Sequence, residues 1–260
     1  GKMRIKEWDY YLVNNGRFAL ALTVDDNGSH RACGYLPAVF KVEQGDGVKP
    51  HVAVIVYGEG ESKTAVVDEI VVPFLYAQGA CLDVCTAVDR QQLFGVAGLC
   101  ELAPGIEQGT TSPMCFMPLG KRKLPETSKA GDTTAIGKSY SIYFKNDGSG
   151  VRTLIAQMKK FGPAGSLYAK VELFDEPEES MVIATPFDKP GHFYYNQKIN
   201  CMRAEGWIEL GSRRYELTKD KFFAVLDWGR GVWTYHNTWY WGSASYHVDG
   251  VPFGWNIGYG

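Results

Sequence analysis

The residues best suited to chemistry lie near the end of the chain, in the stretch VLDWGRGVWTYHNTWYWGSASYHVDG from Val225 to Gly250. This stretch places a carboxylate and a guanidinium, Asp227 and Arg230, three positions apart and holds four of the chain's seven tryptophans. Because apolar surroundings raise the pKa of a carboxyl group, Asp227 is a candidate general acid beside an aromatic pocket. In that role Arg230 would position a substrate.

A second interpretation of the same pair is structural. Arg230 and Asp227 could form a bidentate ion pair that pins the glycine-flanked backbone around them. Such a pair would lower the pKa of Asp227 and weaken its role as an acid. Both interpretations stay open at the level of the sequence.

The aromatic residues that follow predict a strand with one ring-lined face. If residues 232–241 are extended, alternate side chains point to the same side. That side carries one amide among aromatic rings: Trp233, Tyr235, Asn237, Trp239 and Trp241. In a small barrel this face would turn inward, where the rings either line a cavity for one small apolar molecule or fill the space themselves.

A polar set occurs in HFYYNQK, where alternation puts four side chains on one face: His192, Tyr194, Asn196 and Lys198. Such a face is ordinary on a solvated surface. If it lines a cavity instead, Tyr194 and Lys198 could donate hydrogen bonds to a carbonyl or to a developing oxyanion. We therefore include both among the candidate ligand-binding residues.

The elements that must position these residues are predicted to be strands joined by short turns. KEWDYYLV and RFALALTV predict a hairpin across residues 14–16, and SLYAKVELF and MVIATPF predict a second hairpin across 175–179. One helix is predicted in VRTLIAQMKKFG, on the helical spacing of Leu154, Ile155, Met158 and Phe161. The last quarter has the pattern of an antiparallel sandwich or barrel.

Composition and motif searches exclude several classes of function. A formal charge of −2 gives no basic footprint for nucleic acid, and no apolar run is long enough to predict an integral membrane segment. The sequence lacks a phosphate-binding loop, a dinucleotide fingerprint and a zinc-type ligand spacing, so we predict no cofactor and no metal. Without a visible export signal the cysteines are expected to be free thiols, which favours a cytoplasmic location. The oligomeric state is not predicted.

The segments HFYYNQKIN, AEGWIELGSRRYEL and LDWGRGVWTYHNTWYWGSAS resemble a family defined only as a domain of unknown function. Its members carry a Tyr-Asn-x-Lys strand, a glycine-rich hairpin, an Asp-Trp-Gly-Arg-Gly-Val-Trp motif and a tryptophan-rich strand. The resemblance covers roughly 118–260, and KEWDYYLV near the start also matches.

The block from Asp227 to Gly231 is also distantly similar to the carotenoid 1,2-hydratase and lipocalin-like Diels–Alderase group, whose motif is Asp-His-x-Trp-Gly. The aspartate and the last glycine match, whereas Trp228 and Arg230 stand in place of the histidine and the tryptophan. The similarity therefore implies a shared architecture of two lipocalin-like barrels rather than hydratase chemistry.

The predicted fold is all-β and antiparallel, with lipocalin-like (calycin) barrels of which the second is incomplete in this chain. A first domain is predicted over 1–190 and the start of a second over 191–260. The segment from about Ser29 to Cys115 has no element assignment and holds five of the six cysteines. It is either a divergent insertion or a stretch translated in a shifted reading frame.

The leading functional hypothesis is binding of a small, largely apolar molecule, lipid-like or isoprenoid-like, in an aromatic cavity. The alternative is a cofactor-independent isomerase, cyclase or hydratase in which Asp227 is the acid and Asn237, Tyr235 or Arg230 place the substrate. A third possibility is a structural β protein with a filled interior. Whether the protein is an enzyme stays open here.

Overall fold

The computed structural model describes residues 5–15, 18–26, 38–41, 51–58, 61–67, 83–87, 95–100, 121–159, 166–232 and 239–259. Every regular element within these ranges is a β-strand, and the paired strands are antiparallel. The larger sheet curls into a half-barrel. The predicted all-β antiparallel class is confirmed, while the second barrel stays a prediction.

The larger sheet contains twelve strands. In chain order they are β1 (Lys6–Asn14), β2 (Phe18–Asp26), β3 (Ala38–Lys41), β8 (Lys121–Lys123), β9 (Thr133–Ile136), β10 (Tyr140–Asn146), β11 (Arg152–Met158), β12 (Leu167–Phe174), β13 (Met181–Pro186), β14 (Phe193–Leu210), β15 (Arg213–Leu217) and β16 (Phe223–Val232). Their order across the sheet is β3-β2-β1-β16-β14-β12-β11-β10-β9-β8, and β13 and β15 pair with β14 outside this path.

The smaller sheet contains six strands: β4 (His51–Gly58), β5 (Glu61–Val67), β6 (Asp83–Ala87), β7 (Gly95–Cys100), β17 (Trp239–Val248) and β18 (Val251–Tyr259). Their order is β18-β17-β6-β7-β4-β5. The register of β17 against β18 and β6 joins the last part of the chain to the middle third.

Curling of the larger sheet brings β1 against strands that are not its hydrogen-bonded neighbours. The ring of Tyr11 on β1 meets Phe144 on β10 edge-on, with 4.8 Å between ring centroids. The concave side is filled by apolar side chains, and those with less than 2% of their surface exposed include Leu20, Leu22, Ile142, Leu154, Met158, Leu167, Leu173, Ile199, Met202 and Ile208. Burial of these side chains is the main force that holds the sheet in its curved form.

The helix predicted in VRTLIAQMKKFG is wrong, because residues 152–158 form β11. Leu154, Ala156 and Met158 are buried and their neighbours are less so, which is the two-residue period of a strand. Leu154 and Met158 lie four positions apart and fit both periods, so the spacing alone was ambiguous. Phe161, the last member of the predicted helical set, lies outside the described residues.

The first predicted hairpin is confirmed by the pairing of β1 with β2. The second is wrong, since β12 and β13 each pair with β14 and not with one another. β14 is long enough for both, with 18 residues, and its first part pairs with β13 while its last part pairs with β12. A bulge between Ile199 and Met202 separates the two parts, and Cys201 there has a φ of 62°.

The domain boundary predicted at residue 190 stays a prediction. The larger sheet runs across that position, because β14 and β16 pair with each other and with β12 and β1. Among the described residues, no helix has the length and apolar character needed to cross a bilayer.

Candidate functional site

Two clusters of buried polar groups lie on opposite faces of the β1–β16 strand pair. The concave face carries core residues of β16 such as Leu226 and Trp228, and Arg230 shares that face because alternate residues of a strand point the same way. Asp227 points to the convex face. We call the groups around Arg230 the inner cluster (Glu7, Asp9, Thr133, Trp228 and Arg230) and those around Asp227 the outer cluster (Trp8, Tyr194, Asn196, Lys198 and Asp227).

In the outer cluster Asp227 accepts hydrogen bonds from three side chains. Lys198 Nζ lies 2.7 Å from Oδ2, Asn196 Nδ2 lies 2.5 Å from Oδ1, and Trp8 Nε1 lies 3.1 Å from Oδ1. The register explains this convergence, because Lys198 is the direct cross-strand partner of Asp227. The side chains of Lys198 and Asp227 keep only 4% and 13% of their surface exposed, so the ion pair is largely shielded from water.

The indole of Trp8 reaches Asp227 by lying across a glycine. Gly229 is the cross-strand partner of Trp8, and a Cβ atom at Gly229 would stand 1.9 Å from the Trp8 ring. On its other side the indole is stacked with Tyr194, with 6.1 Å between centroids and 19° between planes. The glycine is therefore required for the close approach of the ring to the strand.

Asn196 is fully buried and its amide has one possible orientation. Its Nδ2 donates to Asp227 Oδ1 and, at 2.7 Å, to the carbonyl of Trp228. Both partners are acceptors, so an exchange of the amide nitrogen and oxygen would place oxygen against oxygen. The Oδ1 atom of Asn196 has no hydrogen-bond partner among the described residues.

Farther along the same face of β14, Asn200 connects the two sheets. Its Nδ2 lies 2.9 Å from Ser243 Oγ and 2.9 Å from the carbonyl of Ala244 on β17. Asn256 on β18 donates to Asn200 Oδ1, and the backbone N–H of Cys201 donates to Ser245 Oγ over 3.1 Å. The outer face of β14 is therefore covered by the smaller sheet next to the outer cluster.

In the inner cluster Arg230 binds three segments of the chain. Its Nη1 donates to the carbonyls of Trp8 and Gly229 over 2.8 and 2.7 Å. Its Nη2 donates to Asp9 Oδ1 over 3.0 Å and to the carbonyl of Pro125 over 2.8 Å. The guanidinium also lies over the Trp228 ring at 4.4 Å. The Nε atom is 3.2 Å from Glu7 Oε1, an ion-pair contact without hydrogen-bond geometry.

Burial dominates the electrostatics of the concave face. It raises the pKa of Asp9, although Arg230 and a hydrogen bond from Thr133 act in the opposite direction. It also raises the pKa of Tyr11 to about 12, so this phenol keeps its proton and accepts a hydrogen bond from Arg152 over 3.2 Å. Arg152 in turn forms an ion pair with Glu176. These contacts tie β1 to β9 and β11 across the half-barrel.

The structure brings three predicted site residues together, namely Asp227, Lys198 and Tyr194. The predicted Asp227–Arg230 ion pair is wrong, because β16 continues to Val232 and residues three apart on a strand face opposite sides. Trp233, Tyr235 and Asn237 lie outside the described residues, and Trp239 and Trp241 lie on β17 with side chains that are not described. The catalytic and ligand-binding roles of all nine residues stay predictions.

Three of the four residues in the polar set at the start of β14 are buried, and Tyr194 is partly buried, so this face is not a solvated one. His192, Asn196 and Lys198 are each at most 5% exposed, whereas the intervening Phe193 and Tyr195 are about 40% exposed. Sequence reasoning missed Trp8 and the role of Asn196 as a partner of Asp227. Alternation in KEWDYY could have placed Trp8 and Tyr10 on one face, but nothing local predicts that β1 pairs with β16.

Within the described residues, no group of three or more histidine, cysteine, aspartate or glutamate side chains is arranged to hold a metal ion. The predicted lack of a metal and of a cofactor stays a prediction.

The fold and the two clusters define an all-β protein whose curled antiparallel sheet carries a buried Asp–Lys pair on its convex face. The chain belongs to a family described as Domain of unknown function (DUF2804), whose model matches residues 84–260. The match begins inside the segment from Ser29 to Cys115 that the sequence analysis left unassigned. No curated protein and no solved structure matches the chain. The distant similarity to the hydratase and Diels–Alderase group stays a prediction.

Proposed function

We propose that this protein binds a small, largely apolar molecule at the outer cluster. The observation that carries the proposal is the buried Asp227–Lys198 pair beside the stacked rings of Trp8 and Tyr194. Aromatic rings offer a large apolar contact area, and a few fixed polar groups orient a guest, which is the usual composition of a small-molecule site.

The packing favours the convex face of the sheet over the concave face as the place where a ligand binds. The large apolar side chains of the half-barrel are fully buried, so the concave side is occupied by its own residues. The third hypothesis, a structural β protein with a filled interior, is therefore supported for the concave side of the sheet. The outer cluster differs because Tyr194 and Asp227 keep part of their surface exposed.

Binding has better support than acid catalysis by Asp227. An acid must carry a proton that it can donate, but both oxygens of Asp227 face donors from Trp8, Asn196 and Lys198. This arrangement stabilises an acceptor that holds Lys198 and Trp8 in place. The isomerase, cyclase or hydratase alternative rests on the sequence pattern alone.

Titration with dodecanol, followed by tryptophan fluorescence, tests the proposal. We expect a saturable change in the emission of the wild type, a smaller change in Trp8→Phe, and at least tenfold weaker binding in Lys198→Met. Trp207→Phe and Lys170→Met are matched controls, since Trp207 stacks on Arg214 and Lys170 is exposed on β12. Equal binding by Trp8→Phe, Lys198→Met and the two controls would contradict the proposal.

A cytoplasmic location is part of the same proposal and rests on the expected free thiols; Cys201 forms no disulfide bond with another described residue. Fractionation of the native host with an antibody against the chain would test it. Recovery with an exported or membrane fraction would overturn it.

A further inference from the structure

One buried acceptor of the outer cluster has no donor among the described residues. Asn196 uses both N–H groups on Asp227 and Trp228, and its Oδ1 has no partner among the described residues. Asp227 Oδ2 accepts from Lys198, and a carboxylate oxygen can accept a second hydrogen bond. A buried acceptor without a donor costs about 1–3 kcal/mol, so the cluster gains when a donor is supplied.

The charges of the outer cluster cancel. Asp227 and Lys198 form one ion pair, and the other members, Trp8, Tyr194 and Asn196, are neutral. A guest anion would bring acceptors only and would meet the carboxylate of Asp227. A guest cation would compete with Lys198 for that carboxylate and would weaken the buried ion pair.

We infer that the ligand of the outer cluster is a neutral apolar molecule that carries a hydroxyl group. The inference rests on the proposed function and adds the chemical class of the ligand. Opening of the outer cluster admits the hydroxyl, which donates to Asn196 Oδ1 and thereby satisfies a buried acceptor that has no partner among the described residues. The apolar part of the ligand lies against the rings of Trp8 and Tyr194. Asn196 is then the residue that determines specificity for an alcohol.

A matched series of ligands tests the inference on the wild-type protein. Dodecanol, dodecyl methyl ether and dodecanoate share one chain and differ in the donor and the charge of the head group. We expect dodecanol to bind at least tenfold more tightly than either of the others, as measured by the change in tryptophan emission on titration. Equal or tighter binding of the ether or of dodecanoate would overturn the inference and leave the proposed function intact. If none of the three binds, the proposed function itself fails.

The variant Asn196→Leu tests whether Asn196 determines the specificity for an alcohol. It removes the acceptor at similar size, so dodecanol and its methyl ether should bind with equal affinity. The control is Asn146→Leu, which removes a buried asparagine on β10 that binds the carbonyl of Ser128. A preference for dodecanol that survives in Asn196→Leu would contradict the inference. The ligand series on the wild type gives an answer even if this variant does not fold.

Discussion

The inner and outer clusters place the same chemistry, a buried carboxylate beside a cation, on the two faces of one strand pair. They differ in the kind of buried polar atom that lacks a hydrogen bond among the described residues: the donors Trp228 Nε1 and Arg230 Nε in the inner cluster, and the acceptor Asn196 Oδ1 in the outer cluster. Both terminal nitrogens of Arg230 donate twice, and its partners come from β1, β16 and the segment before β9. The outer cluster joins adjacent strands, and within the described part of the chain no donor reaches Asn196 Oδ1.

This difference separates a structural role from a binding role. The buried guanidinium of Arg230 holds together the segments that it bonds, and it lies on the concave side, which the protein's own side chains occupy. A cluster with an acceptor left over can gain free energy from a guest. If charge and burial alone were considered, the two clusters would be assigned the same role.

The largest expected effect comes from breaking the inner cluster with Arg230→Met. The change removes four hydrogen bonds and leaves the buried Asp9 carboxylate without its cation. We expect a loss of about 3–5 kcal/mol in the free energy of unfolding, measured by urea denaturation. Arg214→Met is the control, because Arg214 is exposed on β15, and it should leave the midpoint near that of the wild type. If Arg230→Met unfolds at the same urea concentration as the wild type, the structural role of Arg230 is contradicted.

An intermediate effect is expected when the outer cluster is crowded by Gly229→Ala. The new methyl group would lie 1.9 Å from the Trp8 ring, so the indole must move away from Asp227. We expect a loss of about 1–3 kcal/mol in the free energy of unfolding together with weaker dodecanol binding.

A double-mutant cycle checks whether contact with the Trp8 ring causes the loss of stability in Gly229→Ala. In the background Trp8→Ala the methyl group no longer meets the ring, so Gly229→Ala should then cost much less. An equal cost in both backgrounds would show that the glycine acts through the backbone and not through Trp8.

The smallest expected effect concerns the pH dependence of stability. It arises at the contact between the two sheets and not in either cluster. Arg203 Nη1 on β14 lies 2.6 Å from His247 Nε2 on β17, so the imidazole must accept and be neutral. Burial, and then Arg203, lowers the pKa of His247 below 6.5. The folded state therefore binds a proton less readily than the unfolded chain, and the stabilisation present above pH 6.5 is lost as pH falls through the lowered pKa.

The variant His247→Gln keeps an acceptor for Arg203 but does not titrate. We expect its stability to fall less than that of the wild type between about pH 6.5 and 5, by under about 1 kcal/mol. Urea denaturation at several pH values provides the measurement. Identical pH profiles for the two proteins would mean that the Arg203–His247 contact does not stabilise the junction of the sheets.

Sequence periodicity predicted several of the strands, but it predicted neither β11 nor the strands of the middle third, and it did not always predict what surrounds a strand. The alternation in HFYYNQK correctly groups Asn196 with Lys198, yet it does not distinguish a solvated face from a buried one, because burial depends on what covers the strand. Asn196 and Lys198 bind Asp227 on β16, and the neighbouring Asn200 is covered by β17 and β18. At residues 152–158 the pattern fitted a helix as well as a strand, and pairing with β10 and β12 decides for the strand.

The amino-acid sequence by itself determined which residues share a face of each strand, since the two-residue period follows from backbone geometry. That period already separates Asp227 from Arg230 once β16 is known to continue to Val232. Only the tertiary structure decided that β1 lies against β16 and brings Trp8 to Asp227 across 219 positions of the chain. The pairing of distant strands depends on the summed packing of the whole sheet, and no local run of residues carries that information.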